Sequence, residues 1–332
     1  MTQNQMHAAV VEQAGGPEVL RYTETEVPRP GPGQVLVRVA AAGVNFIDTY
    51  LRSGVYPLEF PAILGGEGAG TVEAFGEGAA QASGLAVGDH VAWADGNTGA
   101  YAEYDVVKAE RLVAVPDGID LETAAASMLQ GMTAHYLTNS TWPLKAGETA
   151  LVHAAAGGMG QLLTQLAKAK GARVIGTTSS AEKERVARAA GADEVIRYTE
   201  VDDLAAEVRA LTGGAGVDVV YDGVGASTFE ASLGSLRKRG LLALFGGASG
   251  QVPPFDLQRL NRAGSLYVTR PTLAHYIETR QELLWRSGEI LAAVAAGELA
   301  VNIGARFPLA EAAAAHTALT GRATTGKVLL LP

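Results

Sequence analysis

The sequence predicts an α/β protein of two domains, a small β-barrel and a doubly wound parallel sheet. Three observations predict it. The first third is punctuated at short intervals by glycine and proline around strand-like runs. From residue 149 onward short apolar runs alternate with helical patterns, the rhythm of βαβ units and a parallel sheet. Between the two regimes, residues 151–161 (LVHAAAGGMGQ) read strand, glycine turn, helix.

Taken in order, residues 35–39 alternate in a strand-like way after the turn-forming stretch Pro30, Gly31, Pro32, Gly33. Residues 70–75 form a second candidate strand, and 87–91 a turn into a third; a small barrel is the natural way to close such a series. Residues 149–154 are an apolar strand, and Leu162, Leu163, Leu166 and Ala167 mark the helix behind the glycines. Strands follow at 172–177, 195–196, 218–221, 241–245 and 265–269, with helices at 181–190 and 204–211 between the earlier ones. Ile277, Leu284, Ile290, Leu291 and Val294 give a long helical pattern in the tail, which ends in a strand-like run at 327–331.

Length and composition limit the function classes. A chain of 332 residues suits two cores, and 48% hydrophobic with 18% charged residues is an ordinary globular mixture. A net charge of -9 argues against a nucleic-acid binder, whose footprint is a basic surface. With no cysteine there is no disulfide, no thiolate nucleophile and no thiolate metal ligand. The six histidines show no ligand spacing. Residues 1–12 lack an apolar signal core, and the most membrane-like stretch, 290–300, is broken by Gly297 and Glu298. A cytoplasmic protein with no membrane contact is expected.

The turn after residue 153 carries the first functional signal. Ala155, Gly157 and Gly160 form an Ala-x-Gly-x-x-Gly variant, in which missing Cβ atoms let the backbone approach a pyrophosphate. The helix behind it points free N–H groups and a positive dipole end at the anion. A site for NAD usually has an acid about 20 residues further on, for the ribose 2′-hydroxyl. Here the second strand ends Val174, Ile175, Gly176, Thr177, Thr178, Ser179, Ser180, with Lys183 beyond and no carboxylate at the tip. Alone, Lys183 between Glu182 and Glu184 reads as a solvated helix cation; the missing acid shifts the preference to NADPH, whose 2′-phosphate an acid would repel.

Residues 42–57 (AGVNFIDTYLRSGVYP) resemble the signature of the quinone oxidoreductase, or zeta-crystallin-like, family of the medium-chain dehydrogenase/reductase superfamily. Residues 64–70 (LGGEGAG), 99–104 (GAYAEY), 128–134 (MLQGMTA) and 264–271 (GSLYVTRP) follow in the family's order, so the resemblance spans essentially the whole chain. It implies a GroES-like barrel domain, 1–125 with 272–332, and a Rossmann domain, 126–271, with the active cleft at their junction. Zinc-dependent relatives have Cys and His ligands where Asn45 and Gly66 stand, so the resemblance is to the zinc-free branch.

The resemblance also implies residue roles. Asn45, Tyr50 and Arg52 are the expected catalytic set, donors to the oxygen on which charge develops when no metal is present. Thr133 should meet the nicotinamide or its ribose. Gly157, Gly158 and Met159 should hold the pyrophosphate. Gly176, Thr177, Lys183 and Tyr198 should surround the 2′-phosphate. Phe245, Gly246, Val268 and Arg270 should flank the cofactor, and Arg322 should close over it. Relatives often carry a polar side chain where Gly223 stands, so a cofactor contact is not assigned there. The expected activity is NADPH-dependent reduction of a quinone or other conjugated carbonyl by a homodimer paired through the strand near 265–269. An enoyl or alkenal reductase, and a non-catalytic NADPH-binding protein, are the rival readings.

Overall fold

The computed structural model describes residues 5–94, 98–321 and 324–332. The chain divides into two compact units, Met1–Met132 with Tyr276–Pro332, and Thr133–His275. The break falls inside a helix, α3, where the sequence reading put it just after residue 125, near that helix's start.

The first unit opens with β1 (Gln5–Val11), β2 (Arg21–Glu26), β3 (Gln34–Val44), α1 (Phe46–Arg52), β4 (Ala62–Ile63) and β5 (Glu67–Phe75). After α2 (Ala79–Ser83) come β6 (His90–Ala94), β7 (Tyr104–Lys108), β8 (Val113–Ala114) and α3 (Leu121–Tyr136). In β3, Val35, Val37 and Val39 are buried on alternate positions, the period of a half-buried strand. β3 and β5 approach so closely that a Cβ on Gly70 would lie 2.1 Å from the Arg38 carbonyl oxygen, where the register also shifts.

The second unit runs β9 (Thr149–Val152), α4 (Gly158–Ala169), β10 (Arg173–Thr178), α5 (Ala181–Ala189), β11 (Glu194–Arg197), α6 (Leu204–Leu211), β12 (Val217–Asp222), α7 (Phe229–Ser235), β13 (Leu236–Leu244), α8 (Gln258–Arg262) and β14 (Tyr267–Thr269). The six strands pair in parallel in the order β11-β10-β9-β12-β13-β14. This is the doubly wound order, reversing between β9 and β12, so ligands are received at the carboxyl ends of those strands. Leu151, Ile175, Val220 and Leu242 from four strands pack with Phe229 and Leu233 of α7. β13 starts five residues before the expected 241, because a register shift against β12 lets Leu236 pair ahead of the regular ladder.

The tail supplies α9 (Arg280–Ala295), β15 (Ile303–Pro308), α10 (Ala312–Thr320) and β16 (Lys327–Leu331) to the first unit. Thr279 caps α9 and Glu282 reaches back to it, so the helix begins three residues after the expected Ile277. β16 pairs with β3, completing a seven-stranded sheet; β1, β2 and β4 form a second sheet. Val37, Val91, Trp93, Tyr101 and Leu330 share one core in this unit. Among the described residues no helix is long and apolar enough to cross a membrane.

Candidate active site

In the second unit, the turn from β9 into α4 is built on close packing. Ala154 adopts a left-handed φ of 49°, and the Ala155 N–H donates to the Thr177 carbonyl at 3.0 Å. A Cβ on Gly160 would sit 2.4 Å from the Ala154 oxygen, and one on Gly176 2.8 Å from the Ala155 Cβ. Gly160 therefore brings helix against strand, while Gly176 lets β10 pass beneath the loop; the structure gives Gly176 this internal place. Gly157 is the N-cap of α4, and Gly158 and Met159 supply its first turn, whose N–H groups have no partner within the helix. Those N–H groups are the donors that a pyrophosphate needs at a helix start.

A buried polar chain fixes the loop from below. His153 Nδ1 lies 3.0 Å from the Thr177 hydroxyl and Nε2 3.0 Å from the Ser232 hydroxyl, which donates to Asp222 Oδ2 at 2.7 Å. Burial holds the His153 pKa below its ordinary value, so the ring is neutral, with its proton on Nε2 facing Ser232. Asp222 also accepts the Val224 and Gly225 N–H groups at 2.8 and 3.0 Å. The loops after β9 and β12, the two strands at the reversal point, are thus tied together. The Thr177 hydroxyl is committed to this chain and is buried, so it faces the interior of the sheet.

At the tips of β10 and β11, Thr178 Oγ1 is buried and without a hydrogen-bond partner among the described residues. The Tyr198 N–H donates to the Thr178 carbonyl at 3.0 Å, and the Tyr198 ring is exposed. Ser180 caps α5 by accepting from the Lys183 N–H, which places half-buried Lys183 at the same helix end. Thr178 and Ser180 were not singled out by sequence reasoning; a hydroxyl at the tip of an acid-free second strand was the available signal. Gly223 and Gly246 meet at the carboxyl ends of β12 and β13, where a Cβ on Gly223 would strike the Phe245 ring at 2.8 Å. A side chain at 223 would require that ring to move aside. Val268 and Arg270 are exposed at the end of β14, and Thr133 is buried on α3. Arg322 lies outside the described residues.

In the first unit, Asn45 is the N-cap of α1, and its amide is fully used. Its Nδ2 donates to Glu67 Oε2 at 2.8 Å and to the Gly43 carbonyl at 3.3 Å, while Oδ1 accepts from Lys327 Nζ at 2.7 Å. Lys327 also bonds Glu67 Oε2, and Glu67 Oε1 accepts the Leu129 N–H at 2.5 Å. Glu67 and Lys327 are both buried, and a Cβ on Gly43 would fall 2.0 Å from Glu67 Oε2. This corrects the expectation for Asn45: both amide hydrogens are taken, so it has none to offer a substrate oxygen.

Arg52 is likewise tied into the interior. It is buried, donating from Nε to the Gly15 carbonyl at 3.1 Å and from Nη1 to His316 Nδ1 at 3.0 Å. His316 Nε2 in turn lies 3.1 Å from the Tyr101 hydroxyl, which donates to Asp48 Oδ2 at 3.0 Å. Asp48 accepts the Asn45 N–H at 2.8 Å, closing the network on the start of α1. Burial, with Arg52 beside it, pushes His316 down to about 3; burial pushes Asp48 up to about 6 and Tyr101 well above its ordinary value. Of the three expected catalytic residues, Tyr50 is the one left partly open. Its ring packs edge-on to Tyr56 at 5.6 Å and tilted against Phe46 at 6.4 Å. Among the described residues no group of three metal-ligating side chains comes together.

Residues 31–117 match the alcohol dehydrogenase GroES-like domain, and 158–284 the zinc-binding dehydrogenase domain. A quinone oxidoreductase of Pseudomonas aeruginosa is 50% identical over 319 residues, 96% of this chain and 97% of that protein. A mycobacterial structure complexed with NADPH superimposes with a TM-score of 0.96 at 52% identity, covering 98% of this chain and all of that one. A 2-haloacrylate reductase of Burkholderia sp is 44% identical over 98% of both chains. With the GroES-like unit, the parallel sheet in 3-2-1-4-5-6 order and identity of this extent, the chain belongs to the quinone oxidoreductase family of the medium-chain dehydrogenase/reductase superfamily.

Proposed function

We propose that this protein is an NADPH-dependent quinone reductase that needs no zinc. One observation carries the reading: the glycine turn closed by Gly160 stands at the start of α4, and beside it the tip of β10 offers hydroxyls and Lys183 but no carboxylate. The N–H groups at that helix start suit a pyrophosphate, and the unpartnered Thr178 Oγ1 fits a phosphate- or ribose-bearing ligand. Gly157, Gly158 and Met159 would hold the pyrophosphate; Thr178, Ser180, Lys183 and Tyr198 would receive the 2′-phosphate. Thr133, Phe245, Gly246, Val268 and Arg270 would line the rest of the dinucleotide. When bound, NADPH would supply the reducing equivalents to the acceptor.

The protein's own share of the chemistry is binding and orientation. Tyr50, held by Phe46 and Tyr56, would donate its hydroxyl to the acceptor oxygen. Asn45 and Arg52 would act at one remove, by fixing α1. A quinone becomes an aromatic hydroquinone, so positioning matters more than acid catalysis. Tyr50→Phe should lower turnover only modestly; a loss beyond about a thousandfold would mean an essential acid. The exposed edge strand β14, with Tyr267 and Val268 outward, suits pairing with a second copy.

The test is steady-state oxidation of NADPH and NADH with 1,4-benzoquinone. Strong preference for NADPH with turnover is expected; binding without turnover on any electrophile would reduce the protein to a cofactor binder. The likeness to a 2-haloacrylate reductase favours a second acceptor class, α,β-unsaturated carboxylates and carbonyls, which belongs in the same panel.

A further inference from the structure

Arg209, Arg237, Lys238 and Arg239 line an open cavity of 560 Å³ in the second unit, with Gly214 and Ala215 among its small wall residues. Ala215 precedes β12, and Arg237, Lys238 and Arg239 lie in the first half of β13. Because the strands are parallel, the cavity sits at their amino ends, the opposite edge from the glycine loop.

Two of the cations are locked in place. Arg209 donates to the carbonyls of Gly234, Gly214 and Leu236 at 2.8, 3.1 and 2.8 Å. Arg237 donates to Asp218 Oδ1 at 2.6 Å and to the Lys238 carbonyl at 2.8 Å, and lies over the Trp142 ring at 5.8 Å. Lys238 and Arg239 are exposed and have no carboxylate partner among the described residues. Arg239 holds a left-handed φ of 59°, a conformation that would suit glycine. No acidic residue lines the cavity. The chain has 35 acidic and 26 basic residues, so four cations around one hollow, offset by the single carboxylate of Asp218, run against its composition. Their mutual repulsion is relieved by an anion that several guanidinium groups can grip at once.

We propose that this cavity binds a small oligophosphate anion, one per chain, separately from the dinucleotide. Four cations around one hollow suit an anion carrying several charges, and the two locked guanidinium groups are already ordered. The occupant is either a free oligophosphate or the triphosphate of a nucleotide.

Calorimetric titration of the NADPH-saturated enzyme with inorganic tripolyphosphate tests this, since the cofactor then fills its own phosphate subsites. One site per chain is expected, weakened at least tenfold in the double variant Lys238→Gln/Arg239→Gly and about threefold in Lys238→Gln alone, with Lys183→Gln unchanged. Glycine suits the backbone at 239, so the double variant should keep its thermal midpoint; the single variant carries the test should it not. A parallel titration with ATP separates the sources: tighter binding identifies a nucleotide as occupant, equal or weaker binding a free oligophosphate. No binding to the wild type, undiminished binding in the variants, or loss in Lys183→Gln would overturn the proposal.

Discussion

The buried His316 ring makes the stability of the first unit depend on pH in a way that one substitution removes. His316 is held neutral, its pKa about 3 against an ordinary 6.5, by burial first and by Arg52 second. The unfolded chain takes up that proton below 6.5 while the folded chain does not. The contribution is therefore fully present above 6.5 and is lost as pH falls toward 3. At pH 5 the loss is about 1.5 pH units' worth, or about 2 kcal/mol at 1.36 kcal/mol per unit. Asp48, raised from 3.8 to about 6, runs the other way: its folded form holds a proton there, gaining about 1 kcal/mol at pH 5 relative to pH 8. The second partly offsets the first in the wild type. His316→Gln removes the histidine term and leaves the Tyr101 to Asp48 bond in place. Urea denaturation at pH 8 and pH 5, followed by tryptophan fluorescence with Trp93 in the core of this unit as one reporter, reads the difference. Between those pH values the variant should change about 2 kcal/mol more favourably than the wild type. Identical pH responses would refute a buried neutral ring and the hydrogen-bonded chain from Arg52 to Asp48.

Other substitutions test the remaining links. Lys327→Met leaves Glu67 buried without its cation and should cost about 3–5 kcal/mol in denaturant titration; adding Glu67→Gln should restore part of it. Gly160→Ala places a Cβ 2.4 Å from the Ala154 oxygen, so NADPH affinity measured by fluorescence titration should fall at least tenfold. Lys183→Glu should raise KM for NADPH far more than for NADH in steady-state assays; equal changes would move Lys183 away from the 2′-phosphate.

The parts legible in the sequence are those whose signal is local. Leu204–Leu211 and Lys327–Leu331 have the bounds that their apolar spacing predicts, and β9, β10 and β12 lie within a residue or two of theirs. α3 was missed because residues 124–128 are buried on every side, so the helix carries no amphipathic stripe to read. Asn45, Tyr50 and Arg52 were found as residues of one segment, but what their side chains bond to could not be.

Alternation, glycine spacing and the absence of cysteine are properties of neighbouring residues or of composition, and from them the chain alone determined its two-part α/β architecture, its nucleotide loop and its acid-free second strand. Only the tertiary structure decided that Lys327, 260 residues from Glu67, completes a buried pair that uses up the Asn45 amide, and that His316 meets Arg52 across 264 residues. The physical reason is that a buried charge takes whatever partner the fold brings within hydrogen-bond reach, and sequence distance leaves no trace of that partner.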